Sequence, residues 1–187
     1  MIPVVVPWSG GVDSTYLVCQ LLIHGYWVYP YHVSYGDTRY YAEETAIDQV
    51  TQWVLNQEYI GRLEPLMHLS YSSPPVRTSY IQHLSPDDRL PYDIPFRNGV
   101  VFSLGVAYAE ASGIRDMMVS IEAGPAEYRD HSLAFLTAFS SLLATSSFVQ
   151  ITAPVRDKDV AERYRFCYEC GIHPYVTLGA NEPSGHL

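Results

Sequence analysis

Ile2-Pro3-Val4-Val5-Val6-Pro7-Trp8-Ser9-Gly10-Gly11-Val12-Asp13-Ser14 is the stretch on which the reading of this chain turns. Its short β-branched run reads as a buried strand that ends at Pro7-Trp8 and passes through Ser9-Gly10-Gly11 into a helical pattern from Val12 to His24. A strand-to-helix turn of this kind aims backbone N–H groups and a helix N-terminus at one point. Two adjacent glycines carry no Cβ, so the main chain can approach a ligand closely, and the first helical turn presents unpaired donors carrying about half a positive charge. The stretch therefore reads as an anion cradle suited to phosphate. The plainer alternative is an ordinary turn whose glycines relieve backbone strain and whose Asp13 simply favours the helix dipole.

Working outward, the length of 187 residues fits one domain with a substantial core. Hydrophobic content is 48%, and the charged fraction of 17% is low because sixteen tyrosines fill part of the gap. With 20 acids against 11 bases the net charge is −9, which argues against broad electrostatic capture of nucleic acid. Only Cys19, Cys167 and Cys170 are cysteines, no apolar secretory segment precedes the first strand, and no run reaches membrane-spanning length. A cytoplasmic protein that meets no membrane is expected.

In order, the first helix is expected to end at Gly25 and a second strand to run from Tyr26 to Ser34. Pro30 within it argues for an edge position or a bulge. Tyr35-Gly36 and the residues up to Glu43 follow, at the place where nucleotides gather beside the carboxyl ends of parallel strands. A helix from Glu43 to Leu55 and a third strand from Leu63 to Leu69 come next. The proline-rich stretch 70–95 reads either as a lid over an active site or as a disordered segment, and we take the lid. Asn98 occupies an N-cap position before the apolar helix Gly99 to Ser112. Met117 to Ile121 is a fourth strand, near-continuously apolar as a doubly covered strand should be. A helix from Asp130 or His131 to about Ala144, a fifth strand from Phe148 to Thr152, a helix from Asp159 to Cys170 and an irregular tail over 172–187 complete the chain. The fold class is α/β: a five-stranded parallel sheet with helices on both faces, in a single domain.

The six residues from Ser9 to Ser14 resemble the pyrophosphate loop (PP-loop) of the ATP pyrophosphatases, which implies an adenine nucleotide alpha hydrolase-like, Rossmann-like fold and cleavage of ATP between its α and β phosphates. Further along, the chain resembles the 7-cyano-7-deazaguanine synthase family, which serves queuosine biosynthesis. That family's Tyr-Gly-Gln-Arg-His stretch is similar to Tyr35-Gly36-Asp37-Thr38-Arg39. Its Pro-Gly-Arg-Asn helix opening is similar to Pro95-Phe96-Arg97-Asn98, with Phe96 replacing the glycine. Its Tyr-Pro-Asp-Cys-Arg-x-x-Phe segment resembles residues 128–135, keeping Tyr128, Asp130 and Phe135 at the same spacing, and its Asp-Lys pair resembles Asp157-Lys158. The family's four C-terminal zinc cysteines have no counterpart: the corresponding Thr177-Leu178-Gly179-Ala180-Asn181 contains none. Cys167, Cys170, His173 and His186 are a conceivable substitute set, but two cysteines spaced i and i+3 on an amphipathic helix read as packing, so no zinc is expected.

The resemblance implies an ATP-dependent carbon–nitrogen ligase using ATP and Mg²⁺, with a deazapurine carboxylate and ammonia as partners and a homodimeric assembly. ATP is assigned to Ser9, Gly10, Gly11, Val12, Asp13, Ser14, Tyr35 and Gly36, with Asp13 also the one magnesium position. Asp13, Arg97 and Lys158 are assigned catalytic roles, the two bases because phosphate charge must be met and arginine binds two oxygens at once. Arg97, Asn98, Glu122, Tyr128, Asp130 and Phe135 are assigned to the substrate, although capping explains Asn98 and Asp130 and core packing explains Tyr128 and Phe135 equally well. Other PP-loop chemistries remain open: adenylylation of a tRNA base for thiolation, or an amidation like that of NAD synthetase. So does a nucleotide-binding module without catalysis.

Overall fold

The computed structural model describes residues 1–35, 39–58, 61–72, 96–121 and 129–172. Its strands are β1 (Pro3–Pro7), β2 (Trp27–Ser34), β3 (Arg62–Leu63), β4 (Met67–Ser70), β5 (Asp116–Met118) and β6 (Gln150–Thr152). Its helices are α1 (Val12–Ile23), α2 (Arg39–Leu55), α3 (Arg97–Ala111), α4 (Leu133–Ser146) and α5 (Val160–Glu169), with a 3-10 turn over Arg129–His131 before α4. The strands lie in the order β3-β2-β1-β5-β6, with β4 also on β2, and every pairing is parallel. The expected parallel sheet with helices on both faces is therefore present, five positions across.

The β1 alternation shows how the layers form. Val4 and Val6 pack into a cluster with Leu17 and Val18 of α1, Ile47 and Val50 of α2 and Cys167 of α5. Val5 points the other way, among Phe102 of α3, Leu136 and Phe139 of α4, and Met117. All three valines are fully buried. A strand covered on both faces is apolar at every position, since each side chain meets a hydrophobic layer.

Four expectations need correction. Pro30 does not mark an edge: β2 lies inside the sheet, paired with β1 from Trp27 to Tyr31. Its missing N–H faces the other side, where β3 has ended at Leu63 and β4 begins at Met67, so no ladder bond is lost there. The single strand expected from Leu63 to Leu69 is divided into these two short strands. Asn98 is not the N-cap of its helix, because α3 begins at Arg97 and Phe96 precedes it in a left-handed conformation (φ 56°). Likewise α4 is capped by Ser132, whose Oγ accepts from the Phe135 N–H, so the helix starts later than Asp130 or His131.

Of the stretch read as a lid, residues 73–95 lie outside the described residues, as do 173–187 of the tail. Among the described residues no helix is long and apolar enough to cross a membrane.

Candidate functional site

The carboxyl ends of β1 and β2 carry the site, and Trp8 anchors it. The fully buried indole prolongs the β1–β2 pairing through a bond from its backbone N–H to the Tyr31 carbonyl (2.8 Å), and its Nε1 donates to Thr15 Oγ1 at 3.1 Å. One side chain thus ties the strand end to the first turn of α1. The loop between them closes on hydroxyls: Ser9 N–H donates to Ser14 Oγ (3.3 Å), the two hydroxyls lie 3.2 Å apart, and Ser14 Oγ donates to the Gly11 carbonyl (3.2 Å). Gly11 occupies the N-cap position and brings no side chain to it. The donors of the first turn are therefore left for a ligand.

Gly10 has a second reason to be glycine. Its φ is +75°, and a Cβ there would sit 2.8 Å from the Glu43 carbonyl oxygen and 3.2 Å from Ala46 Cβ. Close docking of α2 against the loop requires the missing side chain, independently of any phosphate.

Ser9, Tyr35 and Arg97 line one cleft, together with Trp8, His32 and Glu43. Arg97, 40% exposed, is held over the Tyr35 ring (5.7 Å from Cζ to the ring centre), with Nη2 3.9 Å from Glu43 Oε1. The Glu43 carboxylate is buried, and its other oxygen lies 3.4 Å from His32 Nε2. His32 Nδ1 lies 3.0 Å from the Trp8 carbonyl, which can only accept, so that nitrogen carries the proton. Burial pushes the His32 pKa down, outweighing the Trp8 carbonyl and Glu44, which push it up.

On the other side of α1 lies a residue that sequence reading missed. Arg163 is 1% exposed, and its Nη1 donates to Asp13 Oδ1 at 2.6 Å. Its Nη2 donates to the carbonyls of Lys158 (2.9 Å) and Val155 (3.2 Å). Arg163 thereby links the Asp13 carboxylate to the backbone of Lys158. The Lys158 ammonium donates to Glu162 Oε1 at 3.0 Å, and that contact raises its pKa. The signal for Arg163 was available: it stands four residues before the buried Cys167, on the inward stripe of α5, where a charge requires a partner.

Asn98 and Asp130 are joined: the Asp130 carboxylate accepts from the Asn98 backbone N–H (2.8 Å), and Asn98 Nδ2 donates to the Asp130 carbonyl (3.1 Å). Asp130 thus caps α3 from outside. Phe135 packs with Phe96, Phe102 and Phe139 at ring-centre distances of 5.7 to 6.1 Å. Gly36, Glu122 and Tyr128 lie outside the described residues.

For magnesium, Asp13 Oδ1 is taken by Arg163, while its side chain remains 32% exposed and keeps a second oxygen. Among the described residues no group of three or more His, Cys, Asp or Glu side chains gathers around a metal position. Asp13, with one oxygen left, would fit as a single protein contact to a magnesium ion that phosphate oxygens would otherwise hold. Of the cysteines in the conceivable zinc set, Cys167 is buried in the core cluster, its thiol pushed up to about 12 chiefly by that burial, and Cys170 is half-buried. His173 and His186 lie outside the described residues.

The family model described as "Queuosine biosynthesis protein QueC" matches residues 3–182. The 7-cyano-7-deazaguanine synthase of Methanothrix thermoacetophila is 30% identical, the match covering 95% of this chain and 88% of that protein. The 7-cyano-7-deazaguanine synthase 1 of Desulfitobacterium hafniense is 28% identical, covering 87% and 76%. Among solved structures, a 4-thiouridine synthetase in complex with RNA and bound ATP superposes with a TM-score of 0.61 at 14% identity, over 91% of this chain and 41% of that one. That likeness concerns the fold. The loop after β1, the cleft beside it and the match along nearly the whole chain lead to one statement: this chain belongs to the queuosine biosynthesis protein QueC family.

Proposed function

We propose that the chain activates 7-carboxy-7-deazaguanine with ATP and aminates it with ammonia, first to the amide and then to 7-cyano-7-deazaguanine. The observation that carries this reading is the uncapped α1 N-terminus after the glycine pair, whose leading residue Ser9 shares one cleft with Arg97. A carboxylate resists amination because its leaving group would be oxide. Attack of a carboxylate oxygen on the α-phosphorus, with departure of pyrophosphate, makes AMP the leaving group instead. Ammonia then forms the C–N bond, AMP departs, and a proton passes to solvent. In the second round the amide oxygen attacks the α-phosphorus of a second ATP with departure of pyrophosphate, and loss of AMP and the two remaining N–H protons leaves the nitrile.

The chain's own part is positioning and preorganised charge. Backbone N–H groups of residues 9–14, with the Ser9 and Ser14 hydroxyls, hold the pyrophosphate portion. Arg97 meets phosphate or substrate carboxylate charge from the cleft wall, and Lys158 does so from the α5 side. Magnesium would supply charge neutralisation on the phosphates, with Asp13 as its protein contact. Asn98, Asp130 and Phe135 lie along the α3 start and are assigned to the deazapurine, with Glu122 and Tyr128 completing that set. Tyr35 and Gly36 are assigned to the adenosine.

A second copy of the chain is the proposed assembly partner, across α4. This helix carries no charged residue, and Leu133, Leu142 and the nearby Phe148 are about half exposed. The hydroxyls of Thr137, Ser141 and Ser146 donate to carbonyls of their own helix, which leaves the outer face effectively apolar.

The deciding experiment is incubation of the protein with ATP, ammonia and 7-carboxy-7-deazaguanine. AMP together with a product lighter than the acid by mass spectrometry is the expected result. ATP binding with no AMP released would leave only a nucleotide-binding module.

A further inference from the structure

We infer that Arg163 is a positioning residue which fastens the Lys158 loop to the nucleotide loop, so that Lys158 meets bound ATP only while Arg163 bridges the two. The inference rests on the nucleotide reading above. Its geometric basis is the spread of acceptors around one guanidinium: the Asp13 carboxylate on the first turn of α1, and the Val155 and Lys158 carbonyls in the loop between β6 and α5. Asp13 and Arg163 are 150 residues apart in sequence, so no local propensity brings them together. Only a planar fork of five N–H donors reaches a carboxylate and two carbonyls at once; a lysine ammonium is a point charge on a flexible stem.

A purely structural role explains this arrangement poorly. A buried ion pair is commonly matched or bettered in stability by apolar side chains of similar volume. Among the described residues the Arg163 Nε, also buried, has no hydrogen-bond partner, so only the two terminal nitrogens carry the bridge. What the guanidinium provides and an apolar side chain does not is a fixed distance between the loop bearing the Asp13 carboxylate and the backbone of Lys158. Around this core, Glu162 receives both the Lys158 ammonium (3.0 Å) and the Tyr16 hydroxyl (3.5 Å), so the lysine is held at the α1–α5 seam.

The test uses the full chain with Arg163→Met, Arg163→Lys, Lys158→Ala and the double variant Arg163→Met/Lys158→Ala. Turnover is followed as pyrophosphate release, ATP affinity by calorimetry, and the loop by amide hydrogen exchange at residues 155–158. Displacement of a reacting group by about an ångström costs on the order of 100-fold in rate, so Arg163→Met is expected to lose about that much turnover while its ATP dissociation constant changes by less than roughly threefold. Lys158→Ala added to Arg163→Met is expected to cost less than about twofold more, because two residues acting as a unit are not additive. Multiplying losses in the double variant, or unchanged turnover per folded molecule in Arg163→Met, would overturn the assignment. Where Arg163→Met does not fold, Arg163→Lys takes its place with the same criteria. If the wild-type chain releases no pyrophosphate, the ligase reading fails and Arg163 is judged by exchange alone. ATP slowing exchange at 155–158 in the wild type but not in Arg163→Lys supports the bridge; equal slowing in both, or none in the wild type, sinks it.

Discussion

Asp13 is where the structure most changes the interpretation of a single residue. From the sequence, Asp13→Ala looks like a clean catalytic knockout in an intact fold. With Arg163 buried against it, the alanine strands an uncompensated guanidinium, and breaking a buried pair from one side costs up to about 3–5 kcal/mol. Because Asp13 is itself one-third exposed, the lower end of that range applies. Asp13→Ala is therefore expected to lower the melting temperature, whereas Asp13→Asn, which keeps a carbonyl oxygen for Arg163 but not the counter-charge, is expected to lower it less and still lose AMP formation. Thermal melts of the two variants side by side decide this. His32 supplies a second residue-scale prediction. Its folded pKa lies below the unfolded value of about 6.5, so the unfolded chain binds the proton more readily. Its contribution is level above that unfolded value and turns unfavourable as pH falls through 6.5 towards the folded pKa. Replacing His32 by Gln should flatten the urea-midpoint profile between pH 7 and 5; an unchanged slope would mean that the ring does not titrate in this window.

At the scale of elements, the α3–sheet contact is set by Gly105. A Cβ there would fall 2.2 Å from the Tyr31 hydroxyl and 2.6 Å from Met117 Cε, and that hydroxyl donates to the Val101 carbonyl at 2.9 Å. Helix propensity alone favours alanine by about 1 kcal/mol. Overpacking a fully buried tyrosine costs about 1–3 kcal/mol, and the steric term wins. Gly105→Ala should therefore destabilise the chain in urea titrations, against the propensity scale. Phe96 is the converse case. It holds a left-handed backbone where the family it resembles uses glycine, a strain of about 1–2 kcal/mol, and its ring packs on Phe135 and over Gly99. The elements themselves were legible wherever periodicity was strong: the bounds of β1, α1 and α5 lie close to those read from the residues. Two features were not legible. The division of the third strand depends on which side of β2 the Pro30 gap faces, and the cap of α3 comes from Asp130, thirty-two positions away.

At the scale of the whole molecule, the uncharged α4 face contrasts with a net charge of −9, which opposes self-association at low salt. Sedimentation equilibrium should show a dimer whose affinity rises with salt, and Leu142→Glu should shift it to monomer while ATP binding is retained. A monomeric wild type at tens of micromolar would remove this part of the proposal. From the sequence alone followed the parallel α/β sheet and the position of the glycine loop after β1, because strand alternation, helix period and the spacing of the loop residues are local properties. Which groups face one another across that loop was decided only by the tertiary structure. The Arg163–Asp13 bridge, the Glu43–His32 contact beneath Arg97 and the Asp130 cap join residues from separate elements, and a buried charge finds its partner only when the layers close.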